Sequence, residues 1–76
     1  MLSDTHVAVL EHKLQSVKLS EREASVALLW LQDHDYRSIA HRLWLSEHTV
    51  RTMIKSIHKK AEVHSKTALL LKILFD

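Results

Sequence analysis

The sequence predicts an all-α fold, and three observations carry that prediction. The 76 residues include no glycine and no proline, on which the tight turns of β-sheets usually depend. Apolar residues recur three and four positions apart, as they do along one side of a helix. Serine or aspartate precedes these patterns, and both are preferred helix N-caps. We therefore expect one small helical domain.

Composition excludes several other classes of protein. Without cysteine there is no disulfide scaffold and no thiolate metal site, and without glycine there is no glycine-rich phosphate loop. The most apolar run, residues 68–75, contains Lys72 and is much shorter than the roughly 20 residues that span a membrane. We therefore expect a cytoplasmic protein with no membrane contact.

Histidine is common in the sequence, but its spacing does not indicate a metal site. No two of the seven histidines lie three or four residues apart, so no helix face offers two imidazole ligands. No serine or aspartate is spaced with a histidine in a nucleophile pattern, and so small a domain offers no deep cleft. We expect no metal, no cofactor and no enzymatic activity.

The first helix is expected to run from about Asp4 to Val17, with Ser3 or Asp4 as its N-cap. Its apolar residues share one face: Val7, Leu10, Leu14 and Val17. We interpret residues 1–18 as an N-terminal amphipathic or linker helix that precedes the main domain, residues 19–76.

The second and third helices both begin at recognisable caps. Ser20 and Glu23 form the Ser-x-x-Glu pattern of a capping box at the start of the second helix. Asp35 is expected to cap a short third helix over residues 36–44, with Tyr36 at the edge of the core. The buried stripe of the second helix is expected to consist of Val26, Ala27, Leu29 and Trp30.

The third and fourth helices have the apolar pattern of a helix-turn-helix, although other helical hairpins use similar spacings. The small side chain of Ala40 allows the two helices to cross closely. Residues 44–46 form a short turn, and Ser46 is the expected N-cap of a fourth helix that ends near Glu62. The residues of the pattern are Ile39, Ala40, Leu43, Leu45, Val50 and Ile54.

The fourth helix separates an apolar face from a basic one. At about 100° per residue, its apolar stripe consists of Val50, Ile54, Ile57 and Ala61. Its basic face consists of Arg51, Lys55, His58 and Lys59, with His48 and Thr52 at its edge. Arginine, lysine and threonine contact base edges and phosphates in the major groove of DNA, so this helix is a candidate recognition helix. The alternative interpretation is an ordinary solvated face.

The distribution of charge agrees with a polyanionic partner. Residues 37–76 carry eight basic and three acidic side chains, whereas residues 1–36 carry three basic and six acidic ones.

The aromatic side chain of Trp44, in the turn, is expected to pack against the protein rather than to stack on DNA.

The fifth helix, with Ser65 as its cap, is apolar on two opposite sides. One stripe consists of Leu69, Leu70, Ile73 and Leu74, and the other of Ala68, Leu71, Lys72 and Phe75. A small domain buries only one of them, so the second stripe is a candidate contact with a second copy of the chain. The open alternative is that the N-terminal helix covers this stripe.

From Leu19 onward the sequence resembles the LuxR/GerE-type helix-turn-helix domain of bacterial transcription regulators. The resemblance is carried by Leu-Ser-Glu-Arg-Glu at 19–23, Arg-Ser-Ile-Ala at 37–40 and Leu-Trp-Leu-Ser-Glu-His-Thr-Val-Arg at 43–51, with support from Lys59-Lys60, Val63 and Ser65-Lys66. It implies a domain of four helices, which correspond to the second to fifth helices of this chain. The third helix of that domain, here the fourth helix of the chain at about 47–62, enters the major groove of double-stranded DNA. The last helix mediates a dimer contact.

The resemblance also implies individual roles. Arg51, Thr52 and Lys55 match the positions that read bases. Arg37, Ser46, Thr49 and Lys59 are the corresponding phosphate contacts. The dimer contact falls on the second stripe of the last helix: Ala68, Leu71, Lys72 and Phe75.

The chain departs from the family pattern at several positions. Glycine is common in the family where this chain has Asp33 and Glu62, and a left-handed backbone at Glu62 costs about 1 kcal/mol. Glu62 also brings a negative charge close to the basic face. Ser38 and Met53 differ from the usual acidic residue and histidine.

We therefore predict sequence-specific binding of double-stranded DNA by a transcription regulator, as a homodimer. The alternative is a protein-interaction module that uses the second stripe and the N-terminal helix to bind another regulator, a regulatory domain or RNA polymerase. Regulators of this family usually carry an input domain ahead of the DNA-binding module, and the sequence leaves open whether it is a fragment of such a regulator.

Overall fold

The computed structural model describes residues 4–75, and that part of the chain is helical without strands. Its five helices are α1 (Asp4–Leu14), α2 (Glu21–Leu31), α3 (Tyr36–Leu43), α4 (Glu47–Ala61) and α5 (Lys66–Phe75). The prediction of an all-α fold is confirmed. Within the described residues, no helix is long and apolar enough to cross a membrane.

The N-caps predicted for the second to fifth helices are the caps observed. The hydroxyl of Ser20 accepts from the amide of Glu23 at 3.1 Å, and the Glu23 carboxylate accepts from the amide of Ser20 at 2.9 Å, which completes the capping box. Asp35, Ser46 and Ser65 each accept a hydrogen bond from the amide three residues on. Of the two caps expected for α1, Ser3 lies outside the described residues, and Asp4 is itself the first residue of the helix.

The first helix is shorter than expected, because α1 ends at Leu14 rather than at Val17. The following residues form a tight turn in which Val17 donates to the carbonyl of Leu14 at 3.0 Å. Val17 is half-buried against the core without being helical. The two fully buried residues of α1 are Leu10 and Leu14, so this helix contributes directly to the core of the domain.

The core contains the apolar stripe predicted for α4, with Val50, Ile54, Ile57 and Ala61 all at most 3% exposed. The stripe predicted for α2 is correct only in part. Val26 and Ala27 are buried, but Leu29 and Trp30 are half-buried, and Leu31 takes their place inside. The remaining buried apolar residues are Leu10, Leu14, Ile39, Ala40, Leu69 and Ile73.

Three helices end at a left-handed residue that is not glycine. Asp33, Trp44 and Glu62 have φ angles of 71°, 58° and 58° and follow α2, α3 and α4. In each case the amide of the next residue bonds a carbonyl five positions back, the long bond of a Schellman motif: His34 to Leu29, Leu45 to Ala40 and Val63 to His58. The α4 helix therefore stops in a left-handed cap at Glu62, with the backbone cost that the sequence suggested.

One carboxylate is buried where α2 meets α4. Glu23 is 7% exposed. Besides the Ser20 amide, it accepts from the hydroxyl of Ser56 at 2.9 Å and from Nζ of Lys60 at 2.6 Å. The glutamate of the capping box therefore also fixes the position of α4, because Ser56 and Lys60 lie on that helix.

Candidate nucleic-acid interface

The α4 helix presents one side to the core and the other to solvent. Val50 is fully buried, whereas Arg51, Thr52 and Lys55 are exposed. Lys59, one turn beyond Lys55, is exposed as well. The three residues expected to read bases therefore lie together on the outer side of a helix whose inner side is locked into the domain.

The residues expected to contact phosphate lie around the start of α4 and along it. Ser46 caps the helix and donates to the hydroxyl oxygen of Thr49 at 2.9 Å, and both residues are exposed. The side chain of Arg37, at the start of α3, is 86% exposed and lies 4.0 Å from Glu47. An ion pair this exposed contributes little to stability. Arg37 can therefore exchange the carboxylate of Glu47 for another anion.

An aromatic pair underlies the basic face. The rings of Trp30 and Tyr36 are stacked with centroids 5.3 Å apart and planes at 8°. The guanidinium carbon of Arg51 lies 5.0 Å from the centre of the Tyr36 ring, within the range of a cation–π contact. The ammonium of Lys66 lies 4.1 Å from the centre of the Trp30 ring. Arg51, a residue of α4, therefore lies against an aromatic pair formed by side chains of α2 and α3.

His58 has a different place from the one its position on the basic face suggested. It is half-buried, and its Nε2 accepts from the indole Nε1 of Trp30 at 3.4 Å. Burial lowers the pKa of the His58 imidazole below its ordinary value of 6.5, and the charge of nearby His64 lowers it further. The neutral ring suits this arrangement, because a hydrogen-bond acceptor must be unprotonated.

The prediction for Trp44 is wrong. Trp44 is 94% exposed, so almost none of its surface is buried against the protein. The cause is local: Trp44 is the left-handed cap residue of α3, and this backbone conformation directs its side chain away from the core. The prediction that Trp30 belongs to the core is correct only in part, because the ring packs against the core but is half-buried, in the stack with Tyr36.

The outer side of α5 remains partly open. Leu71 is 50% exposed and Phe75 80% exposed, whereas Ala68 and Lys72 are half-buried. The first helix lies against a different side of α5, where Val9, Leu10, Leu70 and Leu74 line an apolar groove between the two helices. Nζ of Lys13 also donates to the carbonyl of Leu74 at 3.1 Å. Leu71 and Phe75 are therefore not covered by α1.

Sequence reasoning missed two sets of contacts at this interface. The capping box identified Glu23, but its bonds to Ser56 and Lys60 join residues more than 30 positions apart. The stack of Tyr36 on Trp30 crosses a loop and left no periodic signal. No group of histidine, aspartate and glutamate side chains within residues 4–75 is arranged to hold a metal ion.

A helix-turn-helix with an exposed basic face on its second helix defines a class of DNA-binding domain. Comparison with known families agrees, because residues 17–73 match the GerE model, described as bacterial regulatory proteins of the luxR family. The chain belongs to this family, whose helix-turn-helix domains bind DNA in bacterial transcription regulators. Neither the curated proteins nor the solved structures compared with the chain gave a match.

Proposed function

We propose that this domain binds double-stranded DNA sequence-specifically, with α4 lying in the major groove. The observation that carries the proposal is the position of Arg51, Thr52 and Lys55, which are exposed together opposite the buried stripe of α4. The major groove is wide enough to admit one helix, and a helix fixed on one side can place only its other side against the bases.

Each proposed contact follows from the chemistry of its side chain. Arg51 and Lys55 donate to the acceptor atoms of guanine, and Thr52 offers a hydroxyl and a methyl group. The proposed phosphate contacts are Arg37, Ser46, Thr49 and Lys59. These set the affinity and its dependence on salt, whereas the base contacts set sequence preference.

We further propose that the domain acts as a homodimer through Ala68, Leu71, Lys72 and Phe75. The exposure of Leu71 and Phe75 supports this proposal, because large apolar side chains grouped on one surface mark interaction sites. A symmetric dimer of this kind places two recognition helices about one turn of DNA apart. Sedimentation of Leu71→Glu tests it: a monomer is expected, and an unchanged dimer excludes this stripe as the interface.

Binding to duplexes selected from a random pool tests the DNA-binding proposal. Arg51→Ala and Lys55→Ala are each expected to weaken binding of the enriched duplex by about 1–3 kcal/mol without loss of helical content. Lys18→Ala is the matched control, since it removes an exposed positive charge from the loop between α1 and α2. Equal affinity of all three variants and the parent chain would exclude α4 as the recognition helix.

The second candidate function is a protein-interaction module with weak affinity for DNA. The exposed aromatic side chains of Trp44 and Phe75 favour it, because tryptophan and other aromatics are enriched at protein interfaces. A salt titration with random duplex DNA separates the two candidates. Binding that persists near physiological salt supports the first, and absence of binding even at low salt supports the second.

A further inference from the structure

Four side chains form a continuous stack that joins α4 to three other helices. Arg51 lies over the ring of Tyr36 at 5.0 Å, Tyr36 is stacked on Trp30 at 5.3 Å, and Lys66 lies over Trp30 at 4.1 Å. They belong to α4, α3, α2 and α5 respectively. The stack therefore depends on the whole tertiary fold, not on neighbouring residues of one helix.

The stack is anchored at the end opposite Arg51. Nζ of Lys66 donates to Asp33 at 2.8 Å, and the indole of Trp30 donates to His58 at 3.4 Å. Both aromatic rings pack against the core and are half-buried, whereas Arg51 is exposed. The rings are thus fixed by the fold, and the guanidinium is the part of the stack that reaches the surface.

A fixed guanidinium differs in its binding properties from one that rotates freely in solvent. Ordering a long side chain during binding reduces affinity, and ordering it beforehand removes that loss. The planar guanidinium also stacks on an aromatic face in a way that the ammonium of lysine does not. An arginine held on a ring is therefore suited to a contact with one defined geometry, such as the paired acceptors of guanine.

We propose that Tyr36, held in place by Trp30, is a positioning residue. Before DNA binds, it orients the guanidinium of Arg51 for contact with a base pair. This inference rests on the proposed function, because it takes Arg51 as a base contact. It adds a determinant of specificity that lies on α3, outside the recognition helix.

A double-mutant cycle on the enriched duplex tests this role. Tyr36→Leu removes the ring, and Tyr36→Phe is the matched control that keeps it. With Arg51 present, Tyr36→Leu is expected to weaken binding about two- to fivefold, the range of an exposed cation–π contact, while Tyr36→Phe leaves affinity unchanged. In the Arg51→Ala background, Tyr36→Leu is expected to have no further effect.

The cycle also distinguishes positioning from a merely structural role. A structural role weakens binding by the same factor in both backgrounds, which would overturn the inference. Thermal unfolding of each variant confirms that it is folded, and Tyr36→Gln replaces Tyr36→Leu if the latter does not fold. A random pool that yields no enriched duplex overturns the proposed function together with this inference, whereas an enriched duplex with additive losses overturns this inference alone.

Discussion

Lys60 of α4 donates a 2.6 Å hydrogen bond to the buried carboxylate of Glu23 in α2. This bond, the amide of Ser20 and the hydroxyl of Ser56 hold the pKa of Glu23 at about 2, below its ordinary value of 4.5. The contact connects the cap of one helix to the candidate recognition helix. It makes the position of α4 sensitive to the protonation of one residue.

Acid is therefore expected to destabilise the domain through Glu23. Because the pKa is lower in the folded chain, the stabilisation is complete above about pH 4.5 and is lost as pH falls towards 2. Its size is about 2 kcal/mol, after allowance for the partly exposed Lys60. Urea unfolding between pH 2 and 6 measures it, and a stability that does not depend on pH in this range would contradict the assignment.

Replacement of Glu23 measures the contribution of its buried contacts to stability at neutral pH. Glu23→Gln is expected to lower the free energy of unfolding by about 2 kcal/mol, because it weakens the buried hydrogen bonds to Ser56 and Lys60. Glu21→Gln is the matched control, since Glu21 is an exposed glutamate in the same turn of α2. If the two variants lost equal stability, the effect would come from charge at the helix N-terminus rather than from the buried contact.

The left-handed residue at the end of α4 predicts a substitution that raises the stability of the domain. Glu62→Gly is expected to stabilise the domain by roughly 1 kcal/mol, because glycine adopts this conformation without the steric cost of a β-carbon. Glu62→Gln is the control, because it removes the charge but keeps the β-carbon. Chemical denaturation measures both variants, and a glycine variant no more stable than the glutamine variant would show that the β-carbon carries no such cost.

Trp44 combines the same backbone conformation with an exposed ring. Trp44→Asn is expected to leave stability unchanged or to raise it by up to about 1 kcal/mol, because asparagine tolerates the left-handed region and little buried surface is lost. Trp30→Leu, which removes the half-buried ring of the stack, is expected to cost about 2 kcal/mol. A large loss of stability in Trp44→Asn would mean that this ring packs after all.

The hydrogen bond from Trp30 to His58 predicts a response to mild acid. Because the pKa of His58 is lowered in the folded chain, the unfolded chain binds this proton first, and stability falls as pH drops below about 6.5. His58→Gln is expected to flatten this dependence, and His41→Gln, which replaces an exposed histidine of α3, is the matched control. Unfolding monitored by tryptophan fluorescence from pH 5 to 8 measures both, and equal slopes in the two variants would refute the role of His58.

The sequence was sufficient for the features that depend on near neighbours. Caps at Ser20, Asp35 and Ser46 act over three residues, and the buried stripe of α4 follows from helical period alone. Contacts between distant positions left no such pattern. The stack of Tyr36 on Trp30 and the partners of Glu23 depend on how the helices cross, which short-range spacing does not determine.

Trp44 illustrates a different limit. Its apolar side chain and its place between Leu43 and Leu45 favoured packing, but the backbone at that position turns left-handed to end α3. In the absence of glycine, another residue adopts this conformation, and at Trp44 the side chain is exposed rather than packed in the core. The family resemblance marked two such positions, Asp33 and Glu62, where glycine is common in relatives. The structure confirms both and adds Trp44 as a third within residues 4–75.

The central claim is that the exposed side of α4 lies against the bases of duplex DNA. Backbone amide chemical shifts recorded during titration with the enriched duplex test it most directly. We expect the largest changes at residues 46–59 and around Arg37, with small changes in α1. Changes confined to α1 and to the outer side of α5 would contradict it, because they would place the DNA on those helices rather than on α4.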